Sequence, residues 1–300
     1  MTDPLARSGL IIVDKPAGLT SHDVIARLRR AFGTRKVGHA GTLDPMATGV
    51  LVVGIERGTR FLAHLVAETK SYTGTIRLGS STSTDDAEGE VLTVAPNGAV
   101  STLDDATITT ALDGLRGEIM QKPSSVSAIK INGKRAHERV RAGESVDIPA
   151  RPVTVHRLDV SAQRRTTDHL DLDVDVLCSS GTYIRSLARD LGEILGVGGH
   201  LTSLRRTSVG PFSISAARPL TEIMETPRLS LSLDEALIAA FPVLEVTQED
   251  GSALAMGKWL EPRGVKGVHA AVTPDGRAIA LVKEGRKRLA TVFVARPSTL

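Results

Sequence analysis

Leu170, Leu172, Val174, Val176 and Cys178 alternate with Asp171, Asp173 and Asp175. A period of two sends successive side chains to opposite faces, so this stretch predicts a strand with one apolar face. Tyr72, Gly74, Ile76 and Leu78 alternate with Thr73, Thr75 and Arg77 in the same way. Leu10 to Asp14 and Val50 to Ile55 are short apolar runs and read as buried strands. Helical spacing appears behind a Ser21 cap (Val24, Ile25, Leu28, Phe32), within 59–70 (Phe61, Leu62, Leu65, Val66) and within 105–117 (Ile108, Leu112, Leu115). A further helix follows a Thr182 cap through Ile184, Leu187, Ala188, Leu191 and Leu195, with Gly196 as its stop. Elements in this order lack the regular βαβ alternation of a doubly wound sheet. They predict an α+β fold built on a mixed or antiparallel sheet.

Residues 80–90 are small, polar and acidic and predict an exposed loop, while 219–232, holding Pro219 and Pro227, predict a connector. Beyond it, 270–273, 278–283 and 290–295 predict short strands joined by turns at Pro274-Asp275-Gly276 and Glu284-Gly285. The chain of 300 residues therefore divides into a larger domain, 1–228, and a small C-terminal β-rich domain, 229–300. One Trp, two Tyr and five Phe leave the core to Leu, Ile, Val and Ala. The single cysteine, Cys178, excludes an intrachain disulfide and a cysteine-cluster zinc site. No apolar run approaches the roughly 20 residues of a membrane span. Leu10-Ile11-Ile12-Val13 is too short for a secretory signal. These features predict a cytoplasmic, metal-free chain with no membrane partner. Lys and Arg number 37 against 34 Asp and Glu, a net +3 that admits an anionic partner without demanding one.

The chemistry concentrates in Gly38-His39-Ala40-Gly41-Thr42-Leu43-Asp44-Pro45-Met46-Ala47-Thr48-Gly49-Val50-Leu51. Three glycines and a proline predict an irregular loop running into a buried strand. Gly41 permits a tight turn or a close approach to a ligand. Pro45 fixes its own φ and pushes Asp44 towards an extended conformation, which holds the carboxylate on a stiff frame. An Asp-Pro turn in which Asp44 bonds its own backbone is the plainer reading of the same residues.

This stretch resembles the catalytic motif of the TruB family, the bacterial tRNA pseudouridine-55 synthases. Gly9-Leu10-Ile11-Ile12-Val13-Asp14-Lys15-Pro16-Ala17-Gly18-Leu19-Thr20-Ser21 resembles the family's N-terminal signature, and Lys70-Ser71-Tyr72 its second motif. Cys178-Ser179-Ser180-Gly181-Thr182-Tyr183-Ile184-Arg185-Ser186-Leu187 resembles its third, and Leu204-Arg205-Arg206-Thr207 also matches in kind. The likeness runs in the family's order across roughly residues 9–215.

The resemblance implies a pseudouridine synthase catalytic domain followed by a PUA-like domain, which turns uridine into pseudouridine at position 55 in the T-loop of tRNA by base flipping and without cofactor. It implies Asp44 as the catalytic carboxylate, acting first on sugar or on base. It also implies Tyr72 stacked on the target base and active in proton transfer, and Arg185 in an ion pair with Asp44. By the same analogy Tyr183 and Leu204 shape the pocket, and His39 props the RNA backbone or the flipped base. On pattern alone Tyr72, Tyr183 and Leu204 are equally core residues, and Arg185 is a surface cation placed unfavourably at a helix start. The run from Lys122 to Arg141 holds Lys122, Lys130, Lys134, Arg135, Arg139 and Arg141 against one acid, Glu138, with a hairpin signal at Asn132-Gly133. It resembles the family's RNA-gripping insertion, about residues 122–143, with Lys130, Lys134 and Arg141 on phosphates. The implied partner is tRNA through its T-arm, bound by a monomer that needs no other protein. Two other classes stay in view: a non-catalytic RNA-binding protein, which needs the basic surface but not Asp44, and a glycosidic hydrolase, which needs a second catalytic carboxylate. A P-loop enzyme is excluded, because no G-x-x-x-x-G-K-[ST] occurs.

Overall fold

The computed structural model describes residue 3 and residues 5–66, 69–124, 130–131, 134–135 and 148–299. In chain order, the strands of the first half are β1 (Gly9–Lys15), β2 (Val37–His39), β3 (Thr48–Ile55), β4 (Lys70–Leu78), β5 (Ser80–Thr82), β6 (Val91–Val94), β7 (Gly117–Gln121), β8 (Lys130–Ile131) and β9 (Lys134–Arg135). There follow β10 (Arg151–Arg165), β11 (Leu170–Cys178), β12 (Gly199–Val209), β13 (Phe212–Ser213), β14 (Arg218–Pro219), β15 (Leu231–Ser232), β16 (Val243–Glu245), β17 (Val268–Val272), β18 (Ala278–Glu284) and β19 (Leu289–Val294). Contacts divide the chain into two units, one from the residues up to Val66 with those from Ser208 onward, the other from the segment between.

In the second unit the alternating stretch is β11, and the strand order is β12-β4-β11-β10-β7. β11 pairs antiparallel with β4, Leu170 facing Leu78 and Cys178 facing Lys70, and with β10 on its other edge. Leu170, Leu172, Val174, Val176 and Cys178 are all buried, as the period of two requires. The opposite face is a ladder of charge. Arg77 donates two bonds to Asp171, at 2.7 and 2.8 Å, and Asp173 accepts from Arg164 and from the Thr75 hydroxyl. The helix Ile184–Ile194 buries Ile184, Leu187, Ala188 and Leu191. Its Gly192 lies so close to β12 that a Cβ there would stand 2.1 Å from the Gly199 nitrogen, so only glycine allows this packing.

The first unit centres on β1, antiparallel to β3 from Gly9–Ile55 to Lys15–Gly49. β14 and β15 flank β1, and β2 pairs with β3. The C-terminal strands form their own sheet in the order β16-β17-β18-β19. One face of that sheet shares a core with the N-terminal strands: Ala270, Leu281 and Phe293 pack with Leu10, Ile12, Val52, Phe61 and Leu65. Phe61 meets Phe241 and Phe293 at ring-centroid distances of 5.9 and 6.3 Å, which gathers three of the chain's five phenylalanines in one place. The other face packs Ala280 and Val282 with Val246 and Leu254, on and beside the helix Gln248–Ala255. Among the described residues, no helix is long and apolar enough to cross a membrane.

Several local expectations are corrected. The helix Ser21–Ala31 is capped by Thr20 in a capping box with Asp23, because the Ser21 hydroxyl is turned inward to Leu43. Tyr183, not Thr182, stands at the N-cap of the Ile184 helix, and the Thr182 hydroxyl donates back to the Ser179 carbonyl at 2.9 Å. The second helix spans Gly58–Leu65, since the chain from Lys70 is taken by β4. The third stops at Asp113, and Gly117 opens β7 at a φ of 80°. Residues 80–90 are not an exposed loop. Ser80–Thr82 pairs with Val91–Val94, and Thr82, Asp85 and Asp86 are buried where two arginines meet the acids. The connector at 219–232 holds the helix Leu220–Glu225, seated by buried Leu220 and Ile223.

Candidate active site

Asp44 lies on the loop between β2 and β3, and that loop is held through its backbone. The Pro45 carbonyl accepts from the Gly18 N–H at 2.8 Å and from the Lys15 ammonium at 3.2 Å. Lys15 is fully buried and also donates to the carbonyls of Pro16 and Leu19, at 2.9 and 2.7 Å. A buried ammonium is tolerable only with such partners, and the bond to Pro45 ties the N-terminal signature to the loop. The Ser21 hydroxyl donates to the Leu43 carbonyl at 3.1 Å and accepts from the Leu43 N–H at 2.9 Å. The Ala47 N–H donates to the Asp44 carbonyl at 3.1 Å and closes the turn. Gly41 and Gly49 bracket the segment at φ values of 89° and 98°, a region that a side chain would strain. The Asp44 side chain is half-buried on this frame. His39 ends β2 opposite Val53, and its ring meets that of His22 edge-on, with centroids 5.9 Å apart.

Tyr72, Tyr183, Arg185 and Leu204 belong to the second unit. Tyr72 is buried on β4 opposite Val176. Gly74, two residues on and on the same face, lets β12 approach: a Cβ there would lie 2.7 Å from the Ser203 carbonyl and 3.5 Å from Leu204 Cδ1. Leu204 is thereby placed beside the face of β4 that carries Tyr72. Gln121, almost wholly buried at the end of β7, grips the backbone of Tyr183 twice. Its Oε1 accepts from the Tyr183 N–H at 2.8 Å and its Nε2 donates to the Tyr183 carbonyl at 3.1 Å.

Arg185 sits in the first turn of its helix, where a cation opposes the helix dipole. The structure compensates with Asp86, 3.4 Å away, both side chains being 5% exposed, and with the Thr84 carbonyl at 2.8 Å. Asp86 also accepts from the Thr84 hydroxyl at 2.6 Å and from the Glu88 N–H at 3.0 Å. One turn later, Arg189 bridges Asp85 at 3.3 Å, Asp190 at 2.7 Å and the Lys122 carbonyl at 2.7 Å. Burial pushes the Asp190 carboxyl up from its ordinary range, against the pull of Arg189.

Of the basic insertion, the backbone of Lys130–Ile131 pairs with that of Lys134–Arg135, while Asn132-Gly133, the expected hairpin turn, lies outside the described residues. Arg141 lies outside the described residues. Lys15 and Ser21 hold the Asp44 loop, and Gln121 and Asp86 hold Tyr183 and Arg185; none of the four was singled out as a site residue from sequence. A lysine closing an apolar strand just before Pro-Ala-Gly was the available signal for Lys15. Asp86 was hidden by the polar composition around it. Among the described residues, no three His, Cys, Asp or Glu side chains group as metal ligands.

Comparison with known proteins bears on the whole chain. Residues 29–184 match the TruB family pseudouridylate synthase N-terminal domain. Residues 185–238 match the tRNA pseudouridylate synthase B C-terminal domain, and 241–296 match the tRNA pseudouridine synthase II C-terminal domain. The tRNA pseudouridine synthase B of Corynebacterium efficiens is 73% identical over 300 residues, covering 100% of both chains. That of Nocardia farcinica is 57% identical over 298 residues, covering 99% of this chain and 96% of its own. Among solved structures, a chain of a Cbf5-Nop10-Gar1 complex has a TM-score of 0.72 at 24% identity, over 98% of this chain and 87% of that one. At that identity the likeness is one of fold.

Proposed function

Because the chain belongs to the TruB family of pseudouridylate synthases, we propose that it acts at position 55 in the T-loop of tRNA, with Asp44 as the catalytic carboxylate. The activity is the isomerisation of uridine to pseudouridine in tRNA. In this reaction the C1′–N1 bond breaks, the base turns, and a C1′–C5 bond forms. C5 gives up its proton and N1 gains one, so atoms balance and no electrons are exchanged with an outside reagent. The proposed chemistry therefore asks for a carboxylate, a stacking surface and a proton path, and for no cofactor.

Asp44 acts at the base–sugar junction, either as nucleophile or by stabilising positive charge on the sugar. The observation that supports assigning it this role is the frame around its loop, in which Lys15, Gly18, Ser21 and Ala47 all bond main-chain atoms of residues 43–45 and so fix the backbone that carries the carboxylate. Tyr72 stacks on the flipped base and carries its hydroxyl to the proton transfer. Arg185, seated by Asp86, pairs with Asp44, while Tyr183 and Leu204 close the pocket and His39 props the RNA. Residues 1–228 carry the chemistry and 229–300 form a PUA-like module. Lys130, Lys134 and Arg141 grip phosphates, and a monomer acts on tRNA in the cytoplasm with no other protein needed.

The test is to incubate the purified chain with an unmodified tRNA transcript tritiated at C5 of uridine. Release of about one tritium per tRNA, mapped to position 55, is expected. Release at another position refutes the site, and no release refutes the activity.

A further inference from the structure

The N-cap of the helix Ile184–Ile194 is Tyr183, whose side chain makes no capping bond. A Ser, Thr, Asp or Asn in that place would bond the free N–H groups of the first turn unaided. With a tyrosine there, the backbone at the helix start is held from another element, by Gln121 at the end of β7. At φ −99° and ψ 110° Tyr183 is extended, so its N–H and C=O leave the chain on the same side. The Gln121 amide meets both, accepting at 2.8 Å and donating at 3.1 Å. Which end of the amide is oxygen is forced, because a backbone N–H can only donate.

The two bonds hold the peptide planes on either side of the Tyr183 Cα. That fixes φ and ψ, and with them the direction in which the Tyr183 side chain leaves the backbone. The Tyr183 carbonyl also accepts from the Leu187 N–H at 3.2 Å, so the same grip seats the turn that carries Arg185. Gln121 itself is firmly placed: it is 1% exposed and faces Arg151 across the β7–β10 pairing. An amide so deeply buried is costly unless both of its ends are bonded, and an apolar side chain would fill the space without that demand. The residues that follow stay on the helix, with the Lys122 carbonyl accepting from Arg189 at 2.7 Å and the Ser124 hydroxyl from Arg185 at 3.4 Å.

We propose that Gln121 is a positioning residue for the isomerisation, its amide aiming the Tyr183 side chain and seating the turn that presents Arg185. The inference rests on the reading of Tyr183 and Arg185 as pocket residues, and its test separates the two. Tritium release is followed in single turnover, with each chain in saturating excess over the tRNA. A misfolded fraction then lowers the active concentration but not the rate constant. Gln121→Met keeps the length of the side chain and removes donor and acceptor together. It should slow release about tenfold or more, because about 1 Å of misplacement at a reacting centre costs up to about a hundredfold. Affinity for tRNA should stay within about threefold, since the phosphate contacts are untouched.

Gln121→Glu makes the sharper measurement. Protonated, the acid gives an O–H to the Tyr183 carbonyl and takes its N–H, as the amide does. Ionised, it has acceptors only and turns one of them on the carbonyl oxygen. Burial favours the neutral form. Relative to wild type, this variant should be fastest near about pH 6, above Gln121→Met, and should fall towards the Met variant by about pH 9. A wild-type rate constant in Gln121→Met overturns the proposal. So does a Glu variant no faster than the Met variant at any pH, which would reduce the position to packing. Tyr183→Ala and Arg185→Met are run alongside. If both are slow while Gln121→Met is fast, the role of Gln121 alone falls. If both keep the wild-type rate constant, the pocket reading falls and the positioning role falls with it.

Discussion

Asp44 is held by its neighbours' backbones, so removing its charge should leave the frame intact. Asp44→Asn preserves the shape of the side chain, and the bonds from Lys15, Gly18, Ser21 and Ala47 all go to main-chain atoms of residues 43–45. Tritium release should therefore fall below detection, while tRNA affinity stays within a few fold in filter binding. Retained turnover would take Asp44 out of the mechanism. Cys178 is the opposite kind of residue, reactive in principle and silenced by its place. Burial pushes its thiol up to about 11, against smaller lowering by Thr182 and Lys70, and the S–H points at the Lys70 carbonyl. The thiolate is the reactive form, so at pH 8 the native chain should resist a thiol-specific disulfide reagent and label fully only in denaturant. Rapid native labelling would contradict the burial. In the sequence a motif marks single residues as candidates, as at Asp44, Tyr72 and Arg185. Lys15, Ser21 and Gln121 are not singled out there, because their work is to bond main-chain atoms remote in sequence, and a sequence does not show which carbonyl a side chain will reach.

At the scale of elements, periodicity was the readable signal. β11, β4 and the Ile184 helix lie where alternation and 3.6-residue spacing put them, because burial of one face dictates both pattern and structure. Elements were missed where a distant partner decides. Residues 80–90 look like loop by composition, yet Asp85 and Asp86 are buried because Arg185 and Arg189 arrive from a helix some hundred positions later. β12 was not foreseen, since buried Arg206 and half-exposed Arg205 interrupt any alternation. The charged face of β11 makes a prediction of its own. Arg164, and then Thr75, lower the Asp173 carboxyl from 3.8 to about 2. A depressed carboxylate contributes stability above its unfolded value, near pH 4, and loses it as pH falls through its folded value. The stability gap between the wild type and Asp173→Asn, read from urea midpoints, should therefore be full at pH 7 and shrink between about pH 4 and pH 2. The pair is partly exposed, so the gap is modest. A gap independent of pH would mean that packing, not charge, is lost in the variant.

Over the whole molecule a net charge of +3 is too small to steer tRNA by its overall field, so affinity has to come from local clusters of cations. The run from Lys122 to Arg141 concentrates six Lys and Arg against Glu138, and its root is anchored: the Lys122 carbonyl accepts from Arg189 at 2.7 Å, and the Ser124 hydroxyl donates to the Thr84 carbonyl at 3.3 Å. The sequence shows this charge density plainly. It does not show that the root is fastened to the helix carrying Arg185, where Arg189 donates to the Lys122 carbonyl and Arg185 to the Ser124 hydroxyl, two arginines one turn apart. If the insertion holds phosphates, each one neutralised contributes about −0.7 to −0.9 to the slope of log K against log[salt]. Replacing Lys130, Lys134 and Arg141 with Gln should then flatten that slope by roughly two to three units and weaken tRNA binding. Asp44 and its frame are left alone by these substitutions, so the loss should appear in KM far more than in kcat. A triple variant with an unchanged slope would leave the run as solvated surface charge. A fall in kcat at unchanged KM would instead place the insertion's role in the chemical step.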